Sequence, residues 1–374
     1  MARPNPPGQL SGTADKVQFA FATPADDADL RRLLRDTPMH GAVCVSFTHE
    51  PDYFLGTDLA GADDRTLLAR VSGRLVAAGR CTTRPCWLNG AVRRVAYLGE
   101  LRLAADVQGR GDILRGGYGF FAAEYARDPA DFCYTSIIAD NTRARRLFER
   151  GARSLPRYQF IGDHVTLLLP AATGPAPAGF TVTTGTDLPS EALAEFLNTA
   201  ARDRQLATHW TAGRLRSLSS HGLPPENFVV LKQGPEIAAC AGVWDQHGFR
   251  QVLISGYSRL LTAARPAYNL LAPLLRQPRL PPAGGFLRQA FLSPWASRPG
   301  DTAARSALIQ VARAVAARRG LDCLALGGTP GDPVLRRLPG RRYLSRRYRV
   351  DWPGVERSGC ELDARACLPD ISLL

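Results

Sequence analysis

The chain has 374 residues, 45% of them hydrophobic and 22% charged, with a formal net charge of +13. That length allows two domains, each with its own core, and no apolar run is long enough to span a bilayer. Eight cysteines stand singly, without Cys-x-x-Cys or zinc-finger spacing, which excludes a disulfide framework or structural zinc and fits a reduced, cytoplasmic protein.

The first sixteen residues, "MARPNPPGQLSGTADK", are polar and rich in Pro and Gly. They lack the apolar core of a secretion signal and read as a disordered tail. Next, "DDADLRRLLRD" places Leu30, Leu33 and Leu34 at helical spacing. Two hairpins follow: "TLLARVSGRLVAAGRCTT", turning at Ser72-Gly73, and "CWLNGAVRRVAYLGELRL", turning at Asn89-Gly90. A helix is predicted over 113–127, then a strand "CYTSIIAD", a helix "NTRARRLFERG" closed by Gly151, and a strand pair near "YQFIGDHVTLLLP". Small residues and prolines around 170–179 read as a linker.

Beyond it the order is similar. A strand and helix in "FTVTTGTDLPSEALAEFLNTA" lead to a hairpin "NFVVLKQGPEIAACAGVWD" and a strand "FLRQAFLSPWA". A helix over 301–319 carries Leu308, Val311, Ala312, Val315 and Ala316 on one face. The strand "LDCLALGG", a short helix near "DPVLRRL" and the strand "YLSRRYRV" complete the half. Two copies of one α+β fold are therefore expected, over 17–169 and 180–374.

The positive charge is almost entirely arginine, with Lys16 and Lys232 as the lysines, a bias that GC-rich coding gives whatever the function. Basicity still favours anionic partners at long range. From Arg336 to Arg349 seven arginines interleave with Tyr343 and Tyr348. Such a run suits either single-stranded nucleic acid or an edge strand protected against aggregation.

"LRLAADVQGRGD" sets Gln108, Gly109, Arg110 and Gly111 between a strand and a helix. The first turn of a helix leaves N–H groups unpaired and partially positive, and glycines remove the Cβ atoms that would keep an anion away. Asp112 there reads either as part of that anion site or as a helix N-cap that makes the loop only a tight turn. A dinucleotide fingerprint is excluded because Leu114 stands where the third glycine is needed, and a Walker loop lacks its Gly-Lys-Ser/Thr.

Together, "LRLAADVQGRG" and "IIADNTRARRLFERG" resemble two motifs of the GNAT superfamily of acyl-CoA-dependent N-acetyltransferases: its (Gln/Arg)-x-x-Gly-x-(Gly/Ala) loop and its Asp-Asn-x-x-Ala-x-x-Leu-(Tyr/Phe)-Glu-x-x-Gly segment. The match covers 17–169, and the second half resembles a diverged GNAT domain by element order. The resemblance implies two tandem domains, each a mixed, mostly antiparallel sheet flanked by helices, with acetyl-CoA or another acyl-CoA as co-substrate and no metal. It implies that Leu101, Arg102 and Leu103 pair with the pantetheine. It sets Gln108, Gly109, Arg110, Gly111, Asp112 and Ile113 at the pyrophosphate, and Asn141, Ala144 and Phe148 beside the cofactor. Ile113 departs from the final Gly/Ala of the loop.

Amine acylation needs a base and an acid for the leaving thiolate. Glu100 is the expected base, with a solvated strand residue as its plain alternative. The family's usual acid, a tyrosine, is replaced by Phe148, leaving Tyr134 as a substitute. In some tandem members the C-terminal carboxylate enters the catalytic domain as base, a role open to Leu374 unless the tail simply packs. The expected activity is transfer of acetyl to a small amine held between the domains, with no membrane insertion. Alternatives are an aminoacyl-tRNA-dependent transferase, in which the arginines bind RNA, and a non-catalytic CoA or metabolite sensor.

Overall fold

The computed structural model describes residues 16–59, 62–151, 155–275, 277–355 and 360–374; the expected tail, save Lys16, lies outside them. The first half runs β1 (Val17–Phe21), α1 (Asp27–Asp36), β2 (Val43–Thr48), β3 (Asp63–Val71), β4 (Arg74–Leu88), β5 (Ala91–Leu103), α2 (Gly111–Tyr125), β6 (Phe132–Ile138), α3 (Thr142–Glu149) and β7 (Arg157–Pro170). The second continues with β8 (Thr181–Thr184), α4 (Ser190–Ala201), β9 (Arg204–Gln205), α5 (Ala212–Ser217), β10 (Phe228–Gln233), β11 (Glu236–Trp244), β12 (Gln251–Tyr257) and α6 (Arg259–Leu271). It ends with β13 (Gln289–Ser297), α7 (Thr302–Arg318), β14 (Cys323–Gly328), α8 (Pro333–Arg337), β15 (Arg341–Asp351) and β16 (Ala366–Cys367).

Local chemistry accounts for the hairpins. Ser72-Gly73 and Asn89-Gly90 all take positive φ, between 50° and 79°, the turn geometry that matches the twist of paired strands. In α1, Leu30, Leu33 and Leu34 are buried at i, i+3 and i+4. Gly151, with φ 63°, closes α3 and donates its N–H to the Phe148 carbonyl.

Twelve strands form one sheet in the order β1-β3-β4-β5-β6-β15-β7-β14-β13-β11-β10-β8. Read inward from either end, the sheet shows the same plan: antiparallel strands, then one parallel pair, β5/β6 or β13/β14. At the centre the halves exchange strands. β15 lies antiparallel between β6 and β7, and β7 lies between β15 and β14. Each half thus has its closing strand inside the other's sheet, so pulling them apart would break the central ladder. The stretch 171–180 between β7 and β8 has no regular element.

Two expectations are corrected here. "YQFIGDHVTLLLP" is one long strand, β7, not a strand pair, because both of its edges are paired by strands from the other half. The arginine run is not an edge strand, since β15 is central. Four of its arginines are engaged by the protein, Arg347 and Arg349 among them: Arg342 donates to the Leu335, Arg336 and Leu338 carbonyls, and Arg346 pairs with Glu149 while stacking over Phe160 at 4.4 Å. Arg347 is completely buried.

The halves meet a second time through a ribbon in which β2 pairs antiparallel with β12. Glu50 and Gln251 lie at its root, where the Gln251 side chain accepts from the Glu50 N–H and donates to the Glu50 carbonyl. This ribbon rises beside the candidate site.

Candidate active site

The site begins where the parallel pair separates. β5 and β6 are registered only from Val95–Leu98 against Phe132–Thr135. Beyond that point residues 99–103 stay with β4, whereas 136–138 follow β15. The strands diverge into a wedge, and Leu101 and Ile138 are exposed at its lips.

A bulge shapes the β5 side. Ala78 faces Arg102 and Arg80 faces Gly99, so Glu100 and Leu101 together oppose Gly79. Glu100 takes φ +51°, a strained setting for a residue with a side chain. In a regular strand Glu100 and Gly99 would face opposite ways; the bulge lets both line one pocket. A Cβ on Gly99 would meet the Tyr97 ring at 2.7 Å, which explains glycine there.

Glu100 is the hub of that pocket. Its Oε1 lies 3.0 Å from His49 Nε2 and accepts from Arg80 Nη1 and Arg250 Nη2, each at 3.3 Å, while Tyr53 OH donates to Oε2 at 3.4 Å. Arg80 also grips Asp64, with Nε to Oδ2 at 2.7 Å. Burial by itself would raise the Glu100 carboxyl, but His49, Arg80 and Arg250 outweigh it and hold the group well below the usual carboxylate range.

The C-terminal segment reaches the same pocket. Leu368 N–H donates to the Gln205 carbonyl, Asp370 accepts from Thr208 N and Ser293 Oγ, and Arg250 Nη1 donates to the Ser372 carbonyl at 3.2 Å. Arg250 Nη2 donates to the Leu374 oxygen at 3.1 Å as well as to Glu100. Leu373 packs into the second-half core while Leu374 lines the pocket. The tail therefore packs through Leu373, while its last residue borders the Glu100 pocket.

Tyr134 is registered opposite Tyr97, with ring centroids 5.0 Å apart. It is 4% exposed and lines a deeper pocket with Arg84, Cys86 and Asp370, whereas Tyr97 borders both pockets. Burial pushes both phenols up, so each is neutral and able to donate at neutral pH.

The glycine loop lies at the far end of β5. A single 3-10 turn, Ala105–Val107, leads to Gln108 and to Gly109 at φ +103°, a value that requires glycine. Gly111 opens α2, and the nearest group to a Cβ built there is the Arg115 guanidinium at 3.9 Å. The N-cap is Arg110, without a side-chain cap bond, which corrects the alternative in which Asp112 is the cap. The Asp112 carboxylate bonds to Arg110, 2.6 Å away, and also faces the Asp112 and Ile113 N–H groups; the Arg110 bond, ahead of burial, holds its carboxyl below the ordinary value. Gln108 accepts from Arg143 at 3.0 Å, tying the loop to the start of α3.

The other expected cofactor residues divide. Leu101 is exposed, and Arg102 bonds the Leu101 carbonyl at 3.1 Å. Leu103 packs with the apolar cluster of Val107 and Ile113, so Ile113 has its side chain in the core. Asn141 caps α3 by accepting from Ala144 N at 3.1 Å. Phe148 is buried, stacked at 4.4 Å on Tyr158, with Ala144 at the edge of that cluster.

His49, Tyr53, Arg84, Tyr97 and Arg250 escaped the sequence reading. Arg80 and Arg84, alternating as polar residues in an otherwise apolar strand, were a usable signal; Arg250, 150 residues from Glu100, gave none. Among the described residues no three His, Cys, Asp or Glu side chains gather as a metal site, and no helix is long and apolar enough to cross a membrane.

No protein-family model matches the chain, and no curated protein is significantly similar to it in sequence. Solved structures do match. A GCN5-related N-acetyltransferase from Sphaerobacter thermophilus is 17% identical, with TM-score 0.54, over 91% of this chain and 98% of that one. Saccharomyces cerevisiae N-myristoyltransferase with bound myristoyl-CoA is 12% identical, with TM-score 0.58, over 97% and 85%. A glucosamine N-acetyltransferase region of a fungal multi-domain β-N-acetylglucosaminidase is 12% identical, with TM-score 0.58, over 91% of this chain and 38% of that one. The chain has the GCN5-related N-acetyltransferase fold.

Proposed function

We propose that this chain, built on the fold of GCN5-related N-acetyltransferases, is an acyl-CoA-dependent N-acyltransferase that moves acetyl from acetyl-CoA to a small amine. The observation that carries the reading is the wedge between β5 and β6, which runs directly into an N-terminal helix turn with bare backbone at Gly109 and Gly111. A strand edge freed from its neighbour offers N–H and C=O groups to the amides of a pantetheine arm, here at Leu101, Arg102 and Leu103. The α2 amides, with Arg110 and Gln108, suit the pyrophosphate, and Asn141 and Ala144 at the start of α3 stand beside it.

The thioester supplies the electrophilic carbonyl; the chain's own residues position the amine and carry its proton. Glu100 is a weak base because His49 and the guanidiniums of Arg80 and Arg250 hold its carboxyl well below the usual range. We assign it the positioning of Arg250, and assign the α-carboxylate of Leu374, held by that arginine, as the base. Tyr97, which borders the Glu100 pocket, is better placed to protonate the departing thiolate than Tyr134, which lines only the neighbouring one. Residues 17–169 carry the CoA side, whereas the acceptor wall is shared, because Arg250 and the tail come from the second half.

Release of free thiol from acetyl-CoA, followed across a panel of amines, tests this reading. Amine-dependent release is expected; tight CoA binding with no release to any amine would leave a sensor instead.

A further inference from the structure

The β4 wall of the Glu100 pocket presents alternate residues Arg80, Thr82 and Arg84, registered opposite Gly99, Tyr97 and Val95 of β5. Two of the three arginines in this pocket are fully engaged. Arg80 bonds Asp64 and Glu100; Arg250 bonds Glu100 and the Ser372 and Leu374 oxygens. Arg84 differs. It is 8% exposed, its Nε is enclosed without a partner, and among the described residues nothing forms a hydrogen bond or ion pair with it. Asp370 shares the deeper pocket, but its carboxylate is bonded to Thr208 N and Ser293 Oγ, both at 3.3 Å.

A guanidinium this deeply buried without a bonded partner is costly to fold around, so a chain that keeps one has a use for its free donors. Those donors form a planar fork that fits a carboxylate through two parallel hydrogen bonds. Arg84 stands two residues along β4 from the Thr82–Tyr97 row, roughly 7 Å, on the same face as the proposed acid. Asp64, Glu100 and Leu374 gather toward the other end of the pocket. The acidic groups at that end are matched by Arg80 and Arg250, whereas Arg84 lies beyond them without a bonded partner, near an Asp370 already engaged by Thr208 and Ser293.

We propose that Arg84 anchors a carboxylate carried by the acceptor, so that the substrate is an amino acid or amino-acid derivative acylated on its amine. The inference rests on the acyltransferase reading for the word acceptor, and on Arg84 alone for the carboxylate.

The test uses the full chain and product-like probes that need no turnover: N-acetylated forms of the twenty amino acids, their carboxamides, and N-acetylated phosphoethanolamine, titrated by calorimetry into wild type and Arg84→Gln. For at least one side chain, the acid is expected to bind ten or more times tighter than its amide. Arg84→Gln should lose that preference while its melting temperature stays level or rises, since an unpaired buried charge has gone. Equal binding of acids and amides, no binding by any acid, or preference for the phosphate would overturn the carboxylate site. So would a lower melting temperature in Arg84→Gln with the preference retained, the sign of a structural arginine. Thiol release on the same samples separates the two claims. Turnover of neutral amines with indifference to acids keeps the acyltransferase and sinks this inference; acid binding without consumption of acetyl-CoA does the reverse.

Discussion

The molecule contains two wedges of the same construction with opposite fates. In the first half β5 and β6 part after Leu98 and Thr135, and the gap leads to α2, whose capping residue Arg110 makes no side-chain cap bond. In the second half β13 and β14 stay registered only from Gln289–Phe291 against Cys323–Ala325, then part in the same way. Here the chain's own tail enters. Ile371 lies so close to Gly327 that a Cβ there would meet it at 2.7 Å, and Ser293 bonds both Asp370 and Ser372. The following helix, α7, is capped by Asp301, which accepts from Ala304 N at 2.8 Å. The two helix starts thus differ in capping: α7 is closed by an aspartate at its N-cap, whereas the N-cap of α2 makes no side-chain cap bond. The filling of the second also aims the tail, delivering Leu374 to the pocket of the first.

Four experiments bear on this contrast. The largest effect is expected from Gly111→Trp. The space around Gly111 is open enough for the fold to survive, but the indole would cover the α2 amides, so acetyl-CoA affinity should fall more than a hundredfold. The matching Thr302→Trp at the start of α7 should leave affinity unchanged; equal losses in calorimetry would mean that the two helix ends do not differ. Next in size is a single glycine appended after Leu374, which displaces the α-carboxylate by up to about 3.8 Å. If that group is the base, kcat should drop by roughly 10²–10⁴ with acetyl-CoA affinity intact.

Glu100→Gln comes third. It strips charge compensation from Arg80 and Arg250, and denaturant titration should register a loss of about 3–5 kcal/mol. The pH dependence has a fixed sign. Because the folded Glu100 carboxyl is held well below 4.5, its stabilisation is complete above that value and drains away as pH falls beneath it. The variant should show a shallower loss of stability in that acid range, and an unchanged slope would contradict the charge assignment. Last, Ile371→Ala in the filled wedge should cost about 1–2 kcal/mol and leave CoA affinity alone, since Ile371 is half-buried packing.

What the sequence revealed, and what it hid, follows from the range of each interaction. The hairpins at Ser72-Gly73 and Asn89-Gly90, the α1 leucines and the glycine loop before α2 are local, governed by φ preferences and helical periodicity. The strand exchange is not. Nothing in "YLSRRYRV" announces that its neighbours are β6 and β7, because its arginines suit an edge as well as a centre where each has a nearby acceptor. Helix α6 was hidden by Pro266 and by an inverted pattern, with Leu260, Leu270 and Leu271 exposed while Tyr268 and Asn269 bond the 278–280 loop. The tail's packing was legible in its apolar ending; its delivery to Glu100 depends on Arg250, a contact between distant segments.

The central claim is that backbone amides at the start of α2 hold the diphosphate of acetyl-CoA. Calorimetric titration of acetyl-CoA into the wild-type chain tests it most directly. One site per chain, abolished by Gly111→Trp, is the predicted result; no binding, or two equivalent sites, would contradict it.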